Sequence, residues 1–244
     1  MNHYILTPYF EGFRHIAVAR AALGRRWLNG RVRLRRCAAR WRSHSGQASK
    51  RALDIVGSVL FLLAFSPLFL LLAMLVKLED RGPAFFRQTR VGRFGRPFLL
   101  YKFRSMRLNA DAELQALLAR NQHGEGVTFK MKNDPRITRV GKWLRRFSLD
   151  ELPQFFNVLR GDMSLVGPRP ATPREVALYA LADRRRLAVK PGLTCFWQVS
   201  GRSNIDFSGQ VRLDVLYIET AGFWADLKLL LQTVPAVVSG KGAT

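Results

Sequence analysis

Residues 55–76 form a run of 22 consecutive residues without a charged side chain, IVGSVLFLLAFSPLFLLLAMLV. At about 1.5 Å per residue, a helix of this length would cross a hydrocarbon layer roughly 30 Å thick. The run therefore predicts contact with a membrane. Ser66-Pro67 stands at its middle. Because Pro67 removes a helical hydrogen bond and its ring clashes with the carbonyl of Leu63, we expect a kink there.

The kink leaves two interpretations of this segment. Two halves of about eleven residues would each reach only about 16 Å, enough for a re-entrant helix that enters and leaves on one face. A proline is also tolerated within an ordinary spanning helix. Basic residues stand on both sides of the run, so the distribution of charge selects no outer end. The residues alone are equally compatible with both topologies.

The chain has a large excess of positive charge, with 40 Lys and Arg against 17 Asp and Glu, a formal net charge of +23. Residues 1–51 hold twelve of the basic residues and one acidic residue, Glu11, directly before the apolar run. Juxtamembrane basic clusters are attracted to anionic lipids by about 1 kcal/mol per residue, which favours a membrane surface over nucleic acid. The alternative that the charge leaves open is a non-enzymatic basic membrane adaptor that binds anionic lipid or nucleic acid.

Several short segments beyond the apolar run have recognisable patterns. AFFRQTRVG and RPFLLYKFRSM flank the turn at 92–95 and predict a β-hairpin. Residues 109–121 have apolar side chains at helical spacing and predict an amphipathic helix. Residues 224–230 form an apolar helical run in which a buried Asp226 would need a partner, so Asp226 is either part of a structural salt bridge or a site residue.

Three further segments have weaker patterns. GKWLRRF, at 141–147, is suited either to a lipid interface or to a core. LTCFWQVS, at 193–200, predicts an apolar strand that leads to Arg202, and SHSGQASK, at 43–50, predicts a linker. Cys37 has no disulfide or metal spacing to the only other cysteine, which fits a reducing, cytosolic environment.

The densest polar stretch is FSLDELPQFFNVLRGDMSLVGPRP, residues 147–170, in which Asp150 and Glu151 are adjacent carboxylates. They could simply form a capping box with Ser148 at a helix start. Pro153 argues against that interpretation, because with Ser148 as the cap the proline would lie past the first turn and lose a hydrogen bond.

A helix start near Asp150 would instead bring partial positive charge, which keeps the carboxylate ionised and attracts phosphate. An ionised aspartate can attack phosphorus and divide one transfer into two steps. Glu151 could hold Mg²⁺, which binds one or two carboxylates together with water and substrate phosphates. Arg169, in Gly167-Pro168-Arg169-Pro170, could bind the phosphates of a diphosphate donor, although a solvated arginine in a proline-rich turn is the commoner case.

Taken in order, these motifs resemble the bacterial sugar transferase family, the monotopic polyprenyl-phosphate phosphoglycosyl transferases. The resemblance runs from about Lys50 to the end of the chain. The matching segments are KRALDIVGSVLFLLAFSPLFLLLAMLVKLEDRGPAFFRQTRVG, YKFRSM, SLDELPQFFNVLRGDMSLVGPRP, KPGLT followed by WQVSGR, LDVLYI, and DLKLL with a terminal GKGA. Many members have T-G-W or T-G-L where this chain has Thr194-Cys195-Phe196, so we assign no sugar.

The resemblance implies roles for individual residues. Asp150 corresponds to the nucleophile that attacks the β-phosphate of a UDP-sugar and releases UMP, and Glu151 corresponds to its Mg²⁺-binding partner. Arg169 and Arg202 correspond to the arginines of the family's PRP and GR elements. Lys102, in YKFRSM, joins them as an expected substrate-phosphate-binding residue.

The resemblance also extends to the membrane segment and the end of the chain. Asp226 corresponds to the aspartate of the family's DLK segment and is expected to support the active site. Ser66-Pro67 corresponds to the break that makes the family's membrane helix re-entrant.

We therefore predict a mixed α/β fold: a single catalytic domain with one re-entrant membrane helix and interfacial amphipathic helices. Residues 1–49 form a basic arm and linker, 50–80 the membrane helix, and 81–244 the catalytic domain, on the cytoplasmic face of the bacterial inner membrane. The expected cofactor is Mg²⁺. The expected partners are a UDP-sugar, undecaprenyl phosphate and anionic membrane lipids, with no nucleic acid; a homodimer stays open. The expected role is to initiate exopolysaccharide or O-antigen assembly.

Overall fold

Helices and short strands alternate along the part of the chain that the computed structural model describes, residues 44–110, 112–113, 131, 134–201 and 205–240. The helices are α1 His44–Ala64, α2 Ser66–Asp80, α3 Arg139–Arg146, α4 Gln154–Arg160, α5 Pro173–Ala177, α6 Phe196–Ser200, α7 Phe207–Thr220 and α8 Phe223–Ser239. The strands are β1 Phe85–Val91, β2 Pro97–Phe103, β3 Ser164–Val166 and β4 Gly192–Thr194. Ser45–Thr244 forms one compact unit, so the predicted mixed fold and single domain are confirmed.

Helices α1 and α2 meet at Phe65 and are bent by 66° relative to each other. Pro67 has no N–H to donate to the carbonyl of Leu63, and the hydroxyl of Ser66 donates to that carbonyl instead, at 3.0 Å. The predicted break at Ser66-Pro67 is therefore confirmed. Among the described helices, none is long and apolar enough to cross a membrane alone, whereas α1 and α2 together have the necessary length and composition.

Helix α1 begins at His44, so the prediction of a linker over residues 43–50 is wrong for residues 44–50. Tertiary contacts explain the earlier start, since packing supplies most of the stability of helices in proteins. Arg51 donates to the carbonyls of Val158 and Leu159 at 2.6 and 2.7 Å. These contacts attach the start of α1 to the end of α4.

The hairpin predicted around residues 92–95 is confirmed. Strands β1 and β2 are antiparallel, with Phe85 opposite Phe103 and Val91 opposite Pro97. The predicted helix at 109–121 lies almost entirely outside the described residues.

The hydrophobic core joins α2, β2 and α3 through Leu72, Val76, Phe103 and Leu144, all fully or almost fully buried. Leu149 and Leu152, on either side of the paired carboxylates, are partly buried against this core. Of the two interpretations of residues 141–147, the structure supports packing in the core for one face of α3, through Leu144. Contact of its other face with lipid stays a prediction.

Strands β3 and β4 form a separate parallel pair, with Val166 beside Thr194. The strand predicted over residues 193–200 is wrong beyond Thr194. Cys195 is the N-cap of the short helix α6, in which Trp197 is buried. The helix predicted at 224–230 is confirmed within the longer helix α8.

Candidate active site

Asp150 and Glu151 lie on a short 3₁₀ turn, Leu149–Glu151, between α3 and α4. Ser148 precedes this turn with a left-handed backbone, φ 53°, and its side chain caps no N–H group. The capping-box interpretation is therefore wrong. A positive φ at a residue other than glycine costs about 1–3 kcal/mol and is often found at functional sites.

The ammonium group of Lys102 lies between the two carboxylates. Its Nζ donates to Glu151 Oε1 at 2.8 Å and lies 3.6 Å from Asp150 Oδ2. The structure thus brings together three residues that the sequence analysis placed in the site. One cation shared by two adjacent carboxylates reduces their mutual repulsion.

The two carboxyl groups have different proton affinities. Burial raises the pKa of Asp150, and the nearby charge of Lys102 offsets this only in part while Glu151 adds to it. Burial also acts to raise the pKa of Glu151, but Lys102, Arg169 and Arg90 outweigh it and hold that pKa below its usual value. The expectation that a helix start keeps Asp150 ionised is thus opposed by burial, and Lys102 is the principal group that favours its charged form.

Asn157 fixes α4 against β2. Its Nδ2 donates to the carbonyl of Leu99 at 2.6 Å, and the backbone N–H of Tyr101 donates to its Oδ1 at 3.0 Å. Asn157 is fully buried. Because Lys102 follows Tyr101 on β2, these hydrogen bonds set the position of its side chain relative to the carboxylates.

A pocket of about 250 Å³ opens beside the paired carboxylates. Its lining combines three basic side chains, one carboxylate, two amides and four residues without a polar side chain: Arg90, Lys102, Arg169, Glu151, Gln154, Gln198, Leu100, Pro170, Gly192 and Leu193. Three convergent cations suit an anionic ligand such as a diphosphate. Arg169, predicted from the sequence as a phosphate-binding residue, lines the same pocket as Lys102.

The turn that carries Arg169 is held where β3 and β4 end. The N–H of Gly167 donates to the carbonyl of Thr194, and the N–H of Gly192 donates to that of Pro168, both at 2.9 Å. A Cβ on Gly192 would lie only 2.0 Å from the nitrogen of Gly167. Only glycine permits this approach of two backbones, which fixes the start of the turn.

Arg90 is a pocket residue that the sequence analysis did not identify. Its side chain is buried, donates to the carbonyl of Pro170 at 3.1 Å and lies 3.8 Å from Glu175. Burial, together with the charge of Arg169, lowers the pKa of Arg90 to about 10. The sequence offers one signal for this residue. Side chains alternate between the two faces of a strand, so Arg90 lies on the opposite face of β1 from Arg87.

Asp226 does not line the pocket, but it is connected to the strand that leads there. Its Oδ2 lies 2.5 Å from the ammonium of Lys50, and its Oδ1 accepts from the hydroxyl of Tyr217 at 2.9 Å. Both partners also donate to the carbonyl of Val166, at the end of β3. Of the two roles predicted for this carboxylate, the salt bridge is present.

The described residues contain no cluster of three or more His, Cys, Asp and Glu side chains that would enclose a metal ion. Asp150 and Glu151 alone nevertheless fit Mg²⁺, which takes one or two carboxylates and completes its coordination with phosphates and water. Arg202, the other arginine predicted for phosphate binding, lies outside the described residues.

Comparison with known proteins identifies the family of this chain. The sequence profile of the bacterial sugar transferase family matches residues 45–240. This chain belongs to the bacterial sugar transferase family. The family match includes both helices of the bent pair and every residue that lines the pocket.

Three relatives illustrate the range of the family. The chain is 49% identical to the galactosyl transferase CpsE of Streptococcus agalactiae, covering 82% of this chain and 44% of that protein. It is 45% identical to the undecaprenyl-phosphate galactose phosphotransferase of Salmonella typhimurium, covering 82% and 42%. It is 42% identical to the UDP-glucose:undecaprenyl-phosphate glucose-1-phosphate transferase of Caulobacter vibrioides, covering 80% and 71%. The chain thus spans less than half the length of the first two.

Proposed function

We propose that this chain transfers a sugar-1-phosphate from a UDP-sugar to undecaprenyl phosphate, with the phosphosugar held covalently on Asp150 between two steps. The observation that carries this proposal is the adjacent pair Asp150 and Glu151, which share Lys102 beside a cationic pocket. Membership of the family and the names of the relatives support the reaction class and the lipid acceptor.

In the first step, a carboxylate oxygen of Asp150 attacks the β-phosphorus of the donor. The new O–P bond forms while the bond from that phosphorus to the bridging oxygen breaks, and the bridging oxygen leaves with UMP. Arg90, Lys102 and Arg169 line the pocket where negative charge develops, and such preorganised cations stabilise the transition state. We place Arg202 with them as a further phosphate-binding residue.

In the second step, a phosphate oxygen of undecaprenyl phosphate attacks the same phosphorus. The bond to Asp150 breaks, the carboxylate is restored, and the product is a lipid-linked diphosphate sugar. The covalent intermediate divides one difficult transfer into two easier ones and predicts ping-pong kinetics. Such a product initiates the assembly of exopolysaccharide or O-antigen repeats.

Mg²⁺ would be held by Glu151, with Asp150 and the donor phosphates as further oxygen ligands. Bound there, it would neutralise charge on the departing nucleotide. Because Lys102 already hydrogen-bonds Glu151, metal and lysine would share this carboxylate. We therefore expect UMP release to require Mg²⁺ and to stop when a chelator is added.

The attachment of both ends of the bent helix pair supports a re-entrant topology. At the start of α1, Arg51 contacts α4. At the end of α2, Glu79 accepts from the backbone N–H of Arg139 at 2.7 Å, and Asp80 pairs with Arg104. Large apolar side chains between these ends are exposed, among them Leu60, Leu63, Leu70 and Leu78. We place this apolar pair in one leaflet and the catalytic unit on the cytoplasmic face of the inner membrane.

Trapping the intermediate tests the proposal. Purified protein is incubated with Mg²⁺ and either UDP-glucose or UDP-galactose, without lipid, and the tryptic peptide 147–160 is analysed by mass spectrometry. We expect a hexose-phosphate adduct on this peptide and one equivalent of UMP. Asp150→Asn should form no adduct and transfer nothing, while it stays folded and in the membrane fraction.

Two results would overturn the proposal. Release of UDP instead of UMP would indicate transfer of the sugar without its phosphate. Turnover that persists in Asp150→Asn, or lipid-linked product without any adduct on peptide 147–160, would exclude the aspartyl intermediate.

A further inference from the structure

Two glutamine side chains in the pocket have amide groups that the described residues leave without a full set of hydrogen bonds. Gln154 is only 3% exposed and lines the pocket. Its side chain makes no hydrogen bond with any part of the chain that the structure describes. Neither amide atom of Gln154 is among the fully enclosed polar atoms without a partner, so the amide is accessible from the pocket. A ligand in the pocket would supply the missing partner.

Gln198 approaches the same pocket from α6, with one end of its amide already engaged. The thiol of Cys195 donates to Gln198 Oε1 at 3.1 Å, and the backbone N–H of Gln198 donates to the carbonyl of Cys195 at 3.2 Å. Burial raises the pKa of Cys195 well above its usual value, so the sulfur keeps its proton and acts as the donor. This contact leaves the NH₂ group of Gln198 to donate to a ligand.

The position of these amides selects the part of the donor that they can reach. Gln154 lines the same pocket as Glu151, so it lies near the proposed reaction centre. The sugar is bonded directly to the phosphorus that Asp150 attacks, whereas the nucleoside lies one phosphate farther away. The two amides are therefore closer to the sugar of a bound donor than to its nucleoside.

The chemistry of the lining agrees with this placement. Arg90, Lys102 and Arg169 suit the phosphates, because charged donors bind phosphate oxygens more strongly than neutral amides do. A neutral amide both donates and accepts, which suits the hydroxyl groups of a sugar. Resting on the proposed function, we propose that Gln154 and Gln198 bind sugar hydroxyl groups of the donor, and that Cys195 is the positioning residue that holds Gln198 in its donating orientation.

The test compares UDP-glucose with UDP-galactose, which differ in the configuration of one hydroxyl group. For Gln154→Ala and Gln198→Ala, we expect kcat/KM for the preferred donor to fall about tenfold, the loss of one or two hydrogen bonds. The ratio between the two donors should change by at least about threefold, because a pocket that hydrogen-bonds a hydroxyl group discriminates by it. Gln232→Ala, an exposed glutamine on α8, is the matched control and should leave the ratio unchanged.

Variants of Cys195 test its positioning role. Cys195→Ser retains a hydrogen-bond donor and should keep the wild-type ratio between donors. Cys195→Ala removes the donor and should shift the ratio in the same direction as Gln198→Ala. If Cys195→Ala lowers kcat equally for both donors without changing their ratio, the residue is merely structural and its positioning role is excluded.

UMP serves as the probe that lacks a sugar. Its inhibition constant should stay within about twofold of wild type in Gln154→Ala and Gln198→Ala, because only contacts to the sugar are lost. A parallel loss of UMP affinity would overturn the inference, since the amides would then bind the nucleotide. Failure of the proposed function is separate: wild-type protein would then release no UMP from either donor.

Discussion

The ammonium of Lys50 lies 2.5 Å from a carboxylate oxygen of Asp226, which joins the first described helix to the last, 176 residues later. The same ammonium donates to the carbonyl of Val166, three residues before Arg169. One buried ion pair therefore connects the start of α1 with the strand that leads into the pocket. Asp226 is 1% exposed, so its charge depends on this partner.

Lys50→Met should destabilise the protein, because breaking a buried ion pair by removing one partner costs about 3–5 kcal/mol. Burial raises the pKa of Asp226, and Lys50 opposes that rise, so the variant should raise it further. A carboxyl group whose pKa is raised in the folded state contributes more favourably to stability as the pH falls through that pKa. The deficit of the variant should therefore be larger at pH 8 than at pH 5.5, measured by thermal unfolding in detergent.

Lys228→Met is the matched control, because Lys228 is an exposed lysine on the same helix as Asp226 and the change removes the same charge. Its melting temperature should stay close to wild type at both pH values. An equal deficit of Lys50→Met at pH 5.5 and pH 8 would contradict the assignment of the effect to an unpaired Asp226.

Lys102→Met should lower the rate of UMP release per folded enzyme by about 10²–10³-fold, the usual loss on removing one preorganised electrostatic group. The variant leaves Asp150 and Glu151 adjacent without their shared cation. Lys142→Met, an exposed lysine on α3, is the control and should retain full activity. Activity of Lys102→Met within threefold of wild type would mean that this lysine has no role in the transfer.

Gly192→Ala should prevent β3 and β4 from meeting, because its Cβ would lie 2.0 Å from the backbone of Gly167. Overpacking of this kind costs about 1–3 kcal/mol or more when only backbone atoms can move. We expect a large fall in melting temperature and loss of activity with both donors. Gly222→Ala, where a Cβ meets nothing within 4 Å, should cost less than about 1 kcal/mol. Equal stability of the two variants would argue against the close approach.

The elements whose structure is set by residues close together in the sequence could be predicted from it. Pro67 breaks the apolar segment because of its own ring, and the glycines at 92 and 95 bound the tip of a hairpin. The linker prediction is wrong for residues 44–50, because contacts of Arg51 with α4 stabilise a helix that the local composition does not favour. A pattern confined to a short window contains no information about such a partner.

The same distinction applies to the site. Asp150 and Glu151 are conspicuous as adjacent carboxylates, and the Gly-Pro-Arg-Pro motif indicates Arg169 as a phosphate-binding residue, a role that the family resemblance also implies. The salt bridge of Asp226 was one of two predicted alternatives, but its partner Lys50 could not be identified because the two residues are far apart in the sequence. The amide orientation of Gln198 likewise depends on a thiol contact that only the folded turn at α6 creates.

The two ends of the bent helix pair should be accessible from the same side of the membrane. We propose single cysteines at Gln47 and Arg87, both exposed, in a Cys37→Ser background that retains the buried Cys195. A membrane-impermeant maleimide should label both positions in inside-out vesicles and neither in intact cells, because contacts near both ends attach the pair to one catalytic unit. Labelling of one position from each side would indicate a spanning helix and contradict the re-entrant topology.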